Sequence, residues 1–189
     1  MLKRILCMLL VLVCLLSCAL AEEYPDGFLF MDAIHWNTTA DEAAAVLGEG
    51  VQRKMEYDPE LGSAEVLAVG DTELAGHPVQ TMFVQYYEDR LYFIMCYFRQ
   101  AEVTDVQALA DNLSAFLGEP EIPAESSQSL DEFFLIMNGI QVLYSWENGD
   151  VTEAELVSMD SQQLYGLMIE NTAVSDMFEQ ALTDAGYLE

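Results

Sequence analysis

Beyond residue 21 this 189-residue chain has one cysteine, two histidines and four basic side chains. Each scarcity removes a class of explanation. Cys7, Cys14 and Cys18 all lie near the start, so Cys96 has no partner for an intrachain disulfide. Stability then has to come from an apolar core rather than from crosslinks. The four bases, Arg53, Lys54, Arg90 and Arg99, stand against 33 acids. So anionic a surface repels phosphate backbones and anionic lipid, which argues against nucleic acid as a partner. It suits solubility outside the cell, a basic protein partner or loosely held cations.

Catalytic signatures are missing too. There is no Gly-x-Ser-x-Gly elbow, no His-Glu-x-x-His and no glycine-rich phosphate loop. His35 precedes Trp36 and His77 precedes Pro78, and both read as locally bonded or solvent-touching side chains rather than metal ligands. Cys96 lies within the apolar run Leu91–Phe98 and reads as a buried structural thiol rather than a nucleophile. Carboxylates are so abundant that no pair stands out. Glu147-Asn148-Gly149-Asp150 lacks the alternating oxygen ligands of a calcium loop and reads as a hairpin turn. No catalytic residue, metal or cofactor is assigned.

What is present begins at the N-terminus. Lys3 and Arg4 precede an unbroken apolar stretch from Ile5 to Leu16, and Ala19-Leu20-Ala21 supplies small residues for a peptidase. That order predicts a signal peptide over 1–21 and a secreted, extracytoplasmic destination. Leu15-Leu16-Ser17-Cys18 also resembles a bacterial lipobox, so the membrane is a partner only through lipidation at Cys18 or through a signal segment that is retained.

Residues 22–33 read as a lead-in segment and 34–189 as a single α+β domain. Thr39-Ala40-Asp41-Glu42 is a capping box, and Gly48 ends the helix it starts. Strands are expected at Val51–Tyr57, Ala64–Val69, Val79–Tyr87 and Leu91–Arg99, with Gly70–Pro78 as a long loop and Glu88-Asp89-Arg90 as a tight turn. The last two strands, rich in aromatic and β-branched residues, suit the sheet centre. Thr104-Asp105-Val106-Gln107 reads as a second capping box, opening a helix whose apolar stripe runs from Val106 to Leu117 before Gly118. Periodicity leaves 130–138 open between helix and strand. Ile140–Trp146, Thr152–Met159 and Gln163–Glu170 read as a three-stranded meander, followed by a helical stripe from Val174 to Ala185. The fold class is therefore α+β: an antiparallel sheet with helices packed on one face. It is built from two helix-plus-strands units, 34–100 and 101–189. Both opening helices end in Leu-Gly-Glu, a weak internal echo.

Strand parity then selects surface candidates. If Met82, Val84 and Tyr86 face the helices, Phe83, Gln85 and Tyr87 face away. The same alternation groups Tyr97 with Arg99, and Tyr144 with Trp146. Tyr, Trp and Arg are the side chains that most often anchor protein interfaces. The candidate partner-binding set is Gln85, Tyr87, Tyr97, Arg99, Tyr144 and Trp146.

The stretch Ile34-His35-Trp36-Asn37-Thr38-Thr39 through Val46-Leu47-Gly48, followed by strands, resembles the repeat of β-lactamase-inhibitor-like proteins and small outer-membrane assembly lipoproteins. The resemblance implies a helix laid against an antiparallel sheet, and a protein that binds other proteins and catalyses nothing. This chain lacks the inhibitors' disulfide pattern, so only the architecture and the idea of a binding module carry over. The functional expectation is a non-catalytic exported module that recognises a protein or cell-envelope component. The alternative is a small secreted hydrolase using paired carboxylates.

Overall fold

Helix α1, Ala40–Leu47, starts where its capping box places it. The Thr39 hydroxyl accepts from the Glu42 N–H at 3.3 Å, and the Glu42 carboxylate accepts from the Thr39 N–H at 2.9 Å. These bonds satisfy amides that no helical carbonyl can reach. They also hold the Glu42 carboxyl below the ordinary carboxylate range. A lowered folded-state pKa contributes stability that is present above the unfolded value and lost as pH falls through the folded one. Glu42→Gln is accordingly expected to shrink the gap between midpoints measured at neutral pH and in acid. An unchanged acid limb in thermal melts would refute this.

The structure is a computed structural model that describes residues 34–121, 139–149 and 152–187. The expected signal peptide, the lead-in, Cys18 and the undecided stretch 130–138 lie outside the described residues.

Four strands follow α1: β1 (Gln52–Asp58), β2 (Gly62–Leu74), β3 (His77–Tyr87) and β4 (Arg90–Arg99). They form a meander of antiparallel hairpins. Helix α2, Val106–Leu117, comes next, and then β5 (Ile140–Asn148), β6 (Thr152–Met159) and β7 (Leu164–Asn171) form a second meander. A short 3₁₀ turn at Asp160–Gln162 joins β6 to β7. Helix α3, Thr172–Asp184, is the last described element. The two meanders merge because β7 pairs with β4, giving one seven-stranded antiparallel sheet in the order β1-β2-β3-β4-β7-β6-β5. The fold is thus α+β, with β4 at its centre.

Two local expectations change. The expected loop Gly70–Pro78 is a tight hairpin: β2 runs to Leu74, β3 starts at His77, and Ala75 and Gly76 turn the chain with φ of 52° and 77°. Two successive positive φ values match the right-handed twist of the flanking strands. The cap of α2 is Asp105 rather than Thr104, its carboxylate accepting from the N–H groups of Gln107 and Ala108 at 3.0 and 3.2 Å.

One face of the sheet is the core. Glu65, Leu67 and Val69 on β2, Met82, Val84 and Tyr86 on β3, and Ile94, Cys96 and Phe98 on β4 alternate inward. Leu167, Ile169, Leu156 and Ala154 continue the layer across β7 and β6. Helix α1 contributes Ala40 and Ala43, α2 contributes Leu109, Ala110, Leu113 and Leu117, and Ile34 and Trp36 join the same cluster. Trp36 donates to the Thr152 hydroxyl at 2.9 Å and so ties the segment before α1 to β6. Between Val69 and Leu74, and between Met82 and Val79, the inward phase slips by one residue on both strands. Asp71, at φ 50°, stands at that slip. The slip turns Leu74 and Val79 into the core, and the Asn112 side chain of α2 donates to the Ala75 carbonyl at 3.0 Å.

The third helix departs from the expectation of helices on a single face. Residue α3 Phe178 lies against Tyr87 and Tyr92, with ring centroids 4.9 and 5.8 Å apart. Tyr87 pairs with Ala64, which puts it on the side opposite Glu65 and Leu67. Leu167 and Ile169 fill the inner face of β7, and Phe178 of α3 covers the Tyr87–Tyr92 end of the outer face.

Candidate functional site

The rest of that outer face is the candidate site. Register sets its composition, because residues directly opposite in an antiparallel pair point to the same side. Ala68 pairs with Phe83, Phe83 with Met95, Met95 with Met168, and Met168 with Glu155. These five residues form one row across β2, β3, β4, β7 and β6. A second row holds Thr81, Tyr97, Gly166 and Val157, and a third holds Val66, Gln85, Phe93, Glu170 and Glu153. Phe83, Phe93, Met95, Tyr97 and Met168 are partly exposed, and none of them packs into the main core cluster.

The centre of the face is adaptable by construction. A Cβ at Gly166 would stand 2.3 Å from the Met159 methyl and 3.1 Å from Val157 Cγ2, so the glycine makes room for those side chains. With Met95 and Met168 alongside, the middle of the face is rich in methionine, whose three rotatable bonds and polarisable sulfur let a surface repack against different shapes. Its other side is aromatic. Phe83 and Tyr97 meet edge to face, 6.2 Å apart at 84°. Gln85 accepts from the Tyr92 hydroxyl at 3.0 Å, across a bulge that adds Tyr92 to β4. Burial, with the neighbouring Glu170 carboxylate, raises the Tyr92 phenol above its ordinary range, so it stays a neutral donor. Glu153, Glu155 and Glu170 put acidic groups along the β6–β7 side.

The candidates chosen from sequence separate into three groups. Gln85 and Tyr97 lie on this face as expected. Tyr87 points to the same side, yet it is 7% exposed beneath Phe178 and serves to seat α3. Arg99 closes β4 at the margin, paired with Glu102 at 3.0 Å. It lines a shallow depression of about 560 Å³ with Gln80, Gln100, Gln162 and Gln163. Tyr144 and Trp146 belong to the opposite face. Tyr144 donates to Gln107 of α2 at 2.6 Å, and Trp146, 1% exposed, donates to the Ser114 hydroxyl at 3.2 Å. Grouping them together was right, but their side of the sheet was not. Their inward turn follows from β5 pairing with β6, which sets Tyr144 opposite Leu156 and Trp146 opposite Ala154, both core residues.

Phe93, Met95 and Met168 were missed as site residues. Phe93, Met95 and Tyr97 alternate along β4, which hinted at a shared side. Met168 becomes their neighbour only through the β4–β7 pairing.

Neither described depression combines two carboxylates. The second is lined by His35, Asn37, Thr38 and Glu42. Its one carboxyl group is Glu42, held ionised by the Thr39 amide, the reverse of what a general acid requires. Among the described residues no group of three or more His, Cys, Asp or Glu is placed to hold a metal ion. No helix among them is long and apolar enough to cross a membrane. No protein family, curated protein or solved structure gives a significant match to this chain.

Proposed function

We propose that this chain is a non-catalytic, exported binding module that recognises a protein or cell-envelope component through the outer face of its sheet. The supporting observation is the row Phe83–Met95–Met168 with Tyr97 and Phe93 beside it: large apolar side chains, partly exposed, on a sheet whose other face already holds the core. An apolar patch of this kind on a rigid sheet, bordered by polar groups, is the usual form of a protein interaction site. Export rests on residues 1–21. Release after Ala21 and lipid anchoring at Cys18 are the two processed forms, and mass analysis of the N-terminus distinguishes them.

The test pairs binding with stability. Tyr97→Ser combined with Met168→Ser removes two partly exposed side chains from the face. The double variant is expected to lose most of the material captured by the wild-type protein from the producing organism's envelope and culture fluid. Its thermal midpoint is expected to fall by only a few degrees. Undiminished capture would reject the outer face as the binding site.

A further inference from the structure

The sheet has a second unspent surface, the outer edge of β1. Residues Gln52-Arg53-Lys54-Met55-Glu56-Tyr57-Asp58 pair on one side with β2, and no described strand pairs with the other side. Six of the seven are exposed, including Met55 at 61% and Tyr57 at 76%. An open edge of this length is a template for another strand. Natural edges are often protected by charge, but here the charges change sign about a centre. Two bases precede Met55 and two acids follow it within the strand. These are also two of the four bases found beyond residue 21.

We infer that β1 is a self-pairing edge: two copies of this chain join β1 to β1 in antiparallel register about a two-fold axis through Met55. Direct pairing about such an axis requires residues whose numbers sum to an even value, because only these share a face. Centring on Met55 places Lys54 opposite the partner's Glu56 twice, on the outer face. It places Arg53 opposite the partner's Tyr57 twice, on the helix face, where a guanidinium can lie over a ring. The two Met55 side chains meet on the axis, flanked by both Tyr57 rings. All seven residues of each strand find a partner. Shifting the axis to Lys54 or to Glu56 sets like charges directly opposite each other, which is destabilising.

The side chains need little rearrangement. Lys54 already pairs with Glu56 of its own strand, and both are largely exposed. Joining two such pairs head to tail makes an alternating four-charge cluster. Arg53 is held from below by Glu65, at 3.1 Å from Nη2, and by Asp41 of α1. Those bonds keep its guanidinium pointed along the helix face. The product would be a continuous fourteen-stranded sheet, with the outer faces of both copies on the same side. A seven-residue pairing is at the small end of interfaces, so the dimer is expected to form in the micromolar range rather than below it.

The experiment is sedimentation velocity on the protein as processed by its producing cells, over rising concentration, with two charge variants. Wild type is expected to show a monomer–dimer equilibrium. Lys54→Glu alone sets Glu against Glu, and Glu56→Lys alone sets Lys against Lys, so each is expected to weaken dimerisation at least about tenfold. An equimolar mixture of the two restores Lys opposite Glu in the same register, so the mixture is expected to dimerise. Because both positions are exposed, each variant's circular dichroism and thermal midpoint should match wild type. A wild type that stays monomeric overturns the inference. So does a dimer indifferent to the single changes, or a mixture that remains monomeric. None of these results bears on partner capture by Tyr97 and Met168, so the two readings fail separately.

Discussion

Trp146→Ala is expected to cost about 3–5 kcal/mol of stability in urea unfolding, the range for emptying a large aromatic site in a packed core. Trp146 is 1% exposed, on a strand near the sheet edge yet directly under α2. Its indole fills the space between β5 and the helix, and its N–H bonds to Ser114, whose hydroxyl in turn donates to the Ala110 carbonyl at 2.7 Å. Truncation removes the ring, leaves a cavity and strips the helix of one of its two polar ties to β5, leaving Tyr144–Gln107. Domains of this size are stable by only about 5–15 kcal/mol in total, so the loss is a large share. Trp146→Phe keeps most of the apolar volume and leaves Ser114 bonded to Ala110, so about 1–2 kcal/mol is expected there. A midpoint for Trp146→Ala equal to that of wild type would place the side chain on the surface and undo the assignment of faces.

The second large effect concerns Cys96. Its thiol is fully buried, on the central strand, facing Met82 on one neighbour and Leu167 on the other. Burial pushes its pKa far up, so thiolate is scarce even where a reagent could reach it. Modification therefore has to wait for global opening, whose population in a stable domain is about 10⁻³ to 10⁻⁶. Labelling at Cys96, read by mass spectrometry of its peptide, is expected to run at least about a thousandfold slower in native buffer than in strong denaturant. Rapid native labelling would mean that the sheet centre opens locally. It would also reopen a chemical role for the thiol.

The candidate site was partly legible beforehand, and residues show where legibility stops. Gln85 and Tyr97 were placed correctly because β3 and β4 are long, strongly alternating and joined by the tight turn at Glu88 and Asp89, both at positive φ. Local pattern and local turn chemistry carry that information. Tyr87 was placed on the right side but not recognised as covered, because its lid, Phe178, comes 91 positions later. Tyr144 and Trp146 alternate as clearly as Phe83 and Gln85 do, yet alternation defines two sides without saying which is wet.

What the sequence by itself determined is the set of parts: a capped α1 from Thr39 to Gly48, an amphipathic α2 ending at Gly118, hairpins with acidic turns, and an apolar Cys96 strand. Those follow from interactions within a few residues, so spacing and residue type suffice. Only the tertiary structure decided that β4 pairs with β7, that Met168 therefore sits beside Met95, that α3 crosses to the outer face, and that β1 is left as an open edge. Each of these is a choice among distant partners of similar local character. Burial of the whole apolar layer decides among them, and no short stretch of chain contains that term.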